Sequence, residues 1–306
     1  MNDTSTDRYA HLAVLPMRET LPPAGLLRGT WRSVRDIAAH RELLFLLSRR
    51  ELKARYKDSV LGFFWSLARP LAMLLVYYVA LGKFLGAEQV PGRPDGIPQY
   101  AIFIFSGLTA WQLFADIVNL GTGSAVANAG LIKKVYVPRE IYPLSVVGSA
   151  LVNFAFQLAI LVVATAALGA FPTGTRWFYF PLALLVLVVF ATALALVLSA
   201  VNVYLRDIQY LVEIAVMVLF WASPIVYSWS LVEPKVDGIL ERLYLSNPMT
   251  MVVLGFQRTF WVAGPTAAYP PNLGRDLGLT LAISLVLLWL AQRVFARLQG
   301  NFAQEL

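Results

Sequence analysis

The chain contains no cysteine, which excludes disulfides, thiolate nucleophiles and thiolate metal sites. Histidine is nearly as scarce. His11 and His40 are the two copies, both lie outside the long apolar runs, and a histidine-based metal site has no support. Charge is low as well: 14% of the 306 residues are charged and 58% are hydrophobic, whereas soluble domains carry about a quarter charged residues. With a mean hydropathy of +0.64, this balance excludes an ordinary soluble enzyme and predicts an all-α membrane protein. Nucleotide-binding signatures are missing. The single Gly-Lys pair, Gly82–Lys83, is followed by Phe84, so no G-x-x-x-x-G-K-[ST] loop can cradle phosphates. Gly121 and Gly123 open a G-x-G pattern that lapses at Val126. No Asp-Asp or Asp-x-Asp pair offers a magnesium site of the transferase kind. The first forty residues hold charges and prolines without an apolar core. They do not read as a signal peptide, and the first span is expected to direct insertion itself.

What is present is a series of apolar runs. At roughly 20 residues per crossing, six spans are predicted, at about 62–86, 99–121, 141–168, 177–203, 208–228 and 273–295. Residues 1–40 read as a cytoplasmic tail and 41–306 as the transmembrane domain. Within the latter, 41–60 is expected to be an amphipathic interface helix. On a helical wheel Leu44, Phe45, Leu52 and Tyr56 share one arc, with Arg49, Arg50, Lys53 and Lys57 opposite. Such a helix lies in the headgroup plane with its cations toward lipid phosphates. Residues 229–270 are half-polar. Their apolar stretches MTMVVLGF and TFWVAG are too short to cross and suit short re-entrant helices on the outer face.

Six spans place both termini on one side. With that side cytoplasmic, 18 of the 25 Lys and Arg fall inside: 12 up to Arg69, then Lys133, Lys134, Arg139, Arg206, Arg293 and Arg297. This is the positive-inside asymmetry. It accounts for the net charge of +7 without a nucleic-acid partner.

Four stretches carry a family resemblance: RYKDSVLGFFWSLARPL after the interface helix, SAVANAGLIKKVYVPREIYPLS at 124–145, NVYLRDI at 202–208 and NPMTMVVLGFQRTF at 247–260. In order and spacing they resemble the membrane subunits of type-two ABC exporters for cell-surface polysaccharides such as O-antigen, teichoic acid or capsule. The resemblance covers about residue 40 onward. It implies a permease without enzymatic activity of its own, working as a homodimer in the plasma (inner) membrane with both termini cytoplasmic. Two copies of a separate ABC ATPase would bind ATP and Mg, leaving this chain without cofactor or metal. The implied substrate is a polyprenyl-pyrophosphate-linked polysaccharide.

The resemblance also implies roles for residues. The 124–145 stretch, between spans two and three, would hold a cytoplasmic coupling helix that meets the ATPase through Asn128, Leu131, Lys133, Lys134, Arg139 and Glu140, with Arg206 and Asp207 as a second contact. Composition alone also suits an ordinary basic loop and a local charge pair. Arg49, Arg50, Lys53, Arg55 and Lys57 are placed to attract the lipid pyrophosphate or simply to anchor the helix. Arg69 departs from the family pattern, which more often has an uncharged polar residue there. It either snorkels to the cytoplasmic interface or faces the translocation path.

Sugar rings stack on aromatic faces, so Trp65, Tyr77, Trp111, Phe114, Phe220, Trp221 and Tyr227 are candidates for a glycan channel, together with the intramembrane acid Asp116. Interfacial belts and helix packing are the competing roles for these aromatics. Two other functions fit less well: export of drugs or small lipids by the same ABC class, and a membrane enzyme acting on polyprenyl lipids.

Overall fold

The computed structural model describes residues 26–56, 64–84, 86, 97, 99–134, 137–233 and 238–306, and among them no strand occurs. A helix suits a bilayer, because it satisfies its backbone polar groups within its own segment. Among the described residues, four helices are long and apolar enough to cross. They are α4 (Tyr100–Ala127), α6 (Ile141–Ala167), α7 (Tyr179–Tyr204, extended at its start by a 3-10 turn from Gly174) and α12 (Leu273–Leu298, followed by a 3-10 turn to Asn301).

α7 lies centrally, against α12, α4 and α6. Its buried positions are rich in small residues, including Ala183, Ala191, Ala195, Ser199 and Ala200. Lipid tails are as apolar as side chains, so close backbone approach has to supply the attraction between helices. α11 (Pro248–Phe260) uses the same device. A Cβ added at Gly255 would lie 2.7 Å from the Ala183 Cβ, so only glycine fits. α11 begins sharply: Pro248 occupies its first turn and the Asn247 side chain accepts the Met249 N–H at 3.0 Å. Its 13 residues span about 20 Å, short of a bilayer core. Nearly all of them are buried, against α7, α4 and α12.

The expected spans one and five are shorter apolar helices. α3 (Phe64–Tyr77) contains Pro70 and passes into a π-helical turn, Tyr78–Phe84. α8 (Ile208–Trp221) has 14 residues, about 21 Å. The predicted span 208–228 therefore ends early, at Trp221, because Ser223 and Pro224 break the helix. The predicted span 99–121 has the opposite error. α4 runs on through Ala127 and takes in residues read as a polar interval, since Thr122 and Ser124 return their hydroxyls to the carbonyls of Val118 and Gly121. Arg293, inside the predicted span 273–295, and Arg297, just beyond it, both lie within α12.

Among the described residues, two helices precede α3. α1 (Leu26–Ala39) falls within the stretch read as tail, yet it docks on α12. The Trp289 indole N–H donates to Thr30 Oγ1 at 3.1 Å, and Gln292 Nε2 donates to Ser33 Oγ at 2.9 Å. α2 (Arg41–Tyr56) packs on α6 through Leu47 and Ser48, the latter against Gly148. Phe45 is exposed and shares no packed face with the half-buried Leu44.

Candidate functional site

Two loops form the basic end of the bundle. The first joins α4 to α6 and contains α5 (Ala129–Ile132). Asn128 is buried at its start. Its Nδ2 donates to the Ser124 carbonyl at 2.8 Å, and its side-chain oxygen accepts from Arg50 of α2. Leu131 is half-buried, and Lys133 and Lys134 are exposed side by side at the helix end, where cations also meet the negative end of the helix dipole. The second loop is the turn between α7 and α8, where Arg206 and Asp207 are both exposed. Among the sequence candidates for partner contact, these four charged residues present surface.

Glu140 does not. It is 3% exposed and faces inward, with Gln299 Nε2 at 3.5 Å from its Oε1. Burial holds its carboxyl above the ordinary value. Hydrogen bonds from Gln292 and Gln299 oppose that shift, and the nearby Asp36 adds to it. Arg139 is half-buried, with its guanidinium carbon 5.7 Å from the centre of the Phe302 ring.

The α2 cations divide. Arg49 and Lys53 are exposed, while Arg50 is engaged by Asn128 and by Glu51 at 3.3 Å. Arg55 and Arg69 lie on α2 and α3, but their side chains fall outside the described residues, as does that of Trp65. Lys57 lies outside them altogether.

The aromatic candidates do converge. Tyr77 stacks on Phe220 at 5.7 Å between ring centres and meets Trp221 edge-on at 6.4 Å. Phe220 meets Trp111 at 5.5 Å, and Trp111 meets Phe114 at 5.2 Å. The cluster grades from open to closed. Trp221 is exposed, Tyr77 half-buried, and Phe114 fully buried against Phe190. Tyr227 stands apart, donating to the Trp221 carbonyl at 2.7 Å and lying 3.1 Å from the Tyr244 hydroxyl.

Beside the cluster runs a polar stripe that the sequence reading missed apart from Asp116. Gln112, Asp116, Asn119 and Gly123 are half-buried on α4. Gln112 Nε2 donates to Asp116 Oδ1 at 3.0 Å. From α8, Gln209 Nε2 donates to the Asn119 carbonyl and to Glu213 Oε1, both at 3.2 Å. The spacing i, i+4, i+7, i+11 was the available signal, because it puts all four on one helix face. A lipid-facing surface of an apolar helix would be apolar. This stripe instead suits water, a polar cargo or another protein surface. Among the described residues no three His, Asp or Glu side chains gather as a metal site would require.

Residues 42–261 match the family described as ABC-2 type transporter. The chain is 33% identical over 276 residues to the O-antigen export system permease protein RfbA of Myxococcus xanthus, covering 90% of this chain and 99% of that protein. It is 30% identical over 219 residues to the protein of the same name from Klebsiella pneumoniae, with 72% and 80% covered. The polysialic acid transport protein KpsM of Escherichia coli is 23% identical over 216 residues, with 69% and 77% covered. The family match spans most of the chain, from α2 to α11, and the likeness to the M. xanthus permease covers 90% of it. The chain therefore belongs to the ABC-2 type transporter family, as a multi-pass membrane permease.

Proposed function

We propose that this chain is the membrane-spanning half of an ATP-driven exporter that moves a polyprenyl-pyrophosphate-linked polysaccharide outward across the plasma (inner) membrane. It acts as a homodimer with two copies of a separate ABC ATPase, which bind ATP and Mg. The six apolar helices α3, α4, α6, α7, α8 and α12 cross the bilayer and leave both termini cytoplasmic. After the one-turn helix α9 (Trp229–Val232), α10 (Ile239–Ser246) and α11 form a re-entrant pair on the outer side. Relatives named for O-antigen export and polysialic acid transport support the substrate class.

The observation that carries this reading is the half-open polar stripe of α4 beside the Tyr77–Phe220–Trp221 aromatics. Amides and a carboxylate hydrogen-bond sugar hydroxyls, while aromatic faces take the CH-rich sides of the rings. Arg49 and Lys53, exposed on α2, attract the pyrophosphate at the cytoplasmic leaflet. Lys133, Lys134, Arg206 and Asp207 are the surface offered to the ATPase.

The test is co-purification with candidate ATPases from detergent, together with depletion of the chain from cells. A stoichiometric complex and intracellular accumulation of lipid-linked glycan are expected. Lys133→Glu combined with Lys134→Glu should weaken the complex or uncouple export. Normal complex yield and normal export in that double variant would refute the coupling assignment.

A further inference from the structure

The last eight residues lie beyond the family match, which ends at 261, yet they hold the basic end together. After the 3-10 turn Gln299–Asn301, the chain forms α13 (Phe302–Glu305). Four residues make no stable helix alone, so this one exists through its packing. Phe302 is fully buried, edge-on to Phe295 at 5.6 Å and to Tyr204 at 6.2 Å. It closes a small core that includes Leu47 of α2, Ile132 of α5, Tyr142 of α6 and Val203 of α7.

The segment grips both basic loops. Toward the α4–α6 loop, Phe302 lies under the Arg139 guanidinium, Gln299 reaches Glu140, and α13 packs on α5. Toward the α7–α8 turn, the Phe302 ring meets Tyr204, two residues before Arg206, and α13 packs on α7. The surface residues of the two loops make no hydrogen bond or ion pair with each other among the described residues. The helices that lead into them touch directly, Asn202 Nδ2 of α7 donating to the Thr122 carbonyl of α4 at 3.2 Å, and the tail adds a link between the loops themselves.

We propose that residues 299–306 are a positioning element that fixes the Lys133–Lys134 loop and the Arg206–Asp207 turn relative to one another, so that the ATPase displaces them as one body. This rests on the ATPase-driven reading above. Without the tail each loop can still be touched, but movement of one reaches the other through the α4–α7 contact alone.

The experiment uses the full complex with its ATPase in proteoliposomes and reads ATP hydrolysed per glycan exported. Phe302→Ala, and a chain ending at Leu298, should keep ATP hydrolysis while raising that ratio roughly fivefold or more, the lower end of ordinary coupling between sites. Phe302→Leu, which refills the apolar site, should restore most of the coupling. A wild-type ratio in both Phe302→Ala and the truncated chain overturns the proposal. Should those variants fail to fold, hydrogen exchange on the wild-type complex decides. Amides of 299–306 should change protection together with 128–140 when the ATPase binds nucleotide, and an unchanged tail beside a changing loop overturns the proposal. If wild-type protein binds no ATPase and Lys133→Glu/Lys134→Glu changes nothing, the exporter reading itself has failed. If those two controls behave as expected and the tail variants couple normally, the tail inference alone has failed.

Discussion

Gly121 of α4 and Ala195 of α7 meet so closely that a Cβ on residue 121 would lie 2.6 Å from the Ala195 Cβ. The two helices therefore touch backbone to methyl. Gly121→Ala is expected to lower stability by about 1–3 kcal/mol through overpacking. Ala195→Gly in the same chain should recover most of that loss by vacating the space. Thermal unfolding of the two single variants and the double variant in detergent checks this, and additive losses would disprove the contact.

Phe114 and Trp221 belong to one aromatic cluster but should answer differently to truncation. Phe114 is fully buried against Phe190, so Phe114→Ala should cost about 3–5 kcal/mol in stability. Trp221 is exposed, and Trp221→Ala should leave the unfolding temperature nearly unchanged while reducing glycan export. Equal thermal losses in both variants would show that Trp221 is a packing residue too.

Glu140 gives a pH dependence with a defined sign. Its folded-state pKa is raised above 4.5 by burial, so the folded chain holds the proton more tightly than the unfolded one. Stability therefore falls as pH rises from 4.5 to the raised value, and the penalty is fully present above it. Glu140→Gln retains an acceptor for Gln299 and removes the charge. The variant should unfold at a higher temperature than wild type at neutral pH, with the gap closing as pH falls toward 4.5. A gap that widens on acidification would contradict the assignment.

Asn247 caps α11 by accepting the Met249 N–H. Asn247→Ala should cost about 1 kcal/mol, and Asn247→Ser or Asn247→Asp should restore it. Because α11 is buried on all sides, the same change should increase hydrogen exchange in 248–260 more than in α6.

Much of the fold was legible because hydropathy reports burial in lipid directly. The segments 141–168 and 273–295 begin where the helices begin, at Ile141 and Leu273. Hydropathy reads polarity, however, and Thr122 and Ser124 are polar residues that satisfy themselves inside a helix. The end of α4 was lost for that reason. It reads Ser223–Pro224 poorly for the converse reason, since two residues barely move an apolar average. Among site residues, the exposure of Lys133 and Lys134 followed from their charge. The inward turn of Glu140 did not, because it depends on Gln299, which is 159 positions away. The stripe from Gln112 to Gly123 was visible as a periodicity, but its half-open state depends on which neighbours leave it uncovered.

α11 has a consequence for how the protein is made. Two of its walls, α4 and α7, precede it in the chain, but the third, α12, follows it. From the completion of Phe260 to that of Leu298, synthesis at ordinary rates takes roughly two to eight seconds. During that interval the helix has an uncovered side. Its docking must therefore wait for the last helix to arrive. A ribosome stalled between these points would leave both α7 and α11 without the wall that α12 supplies.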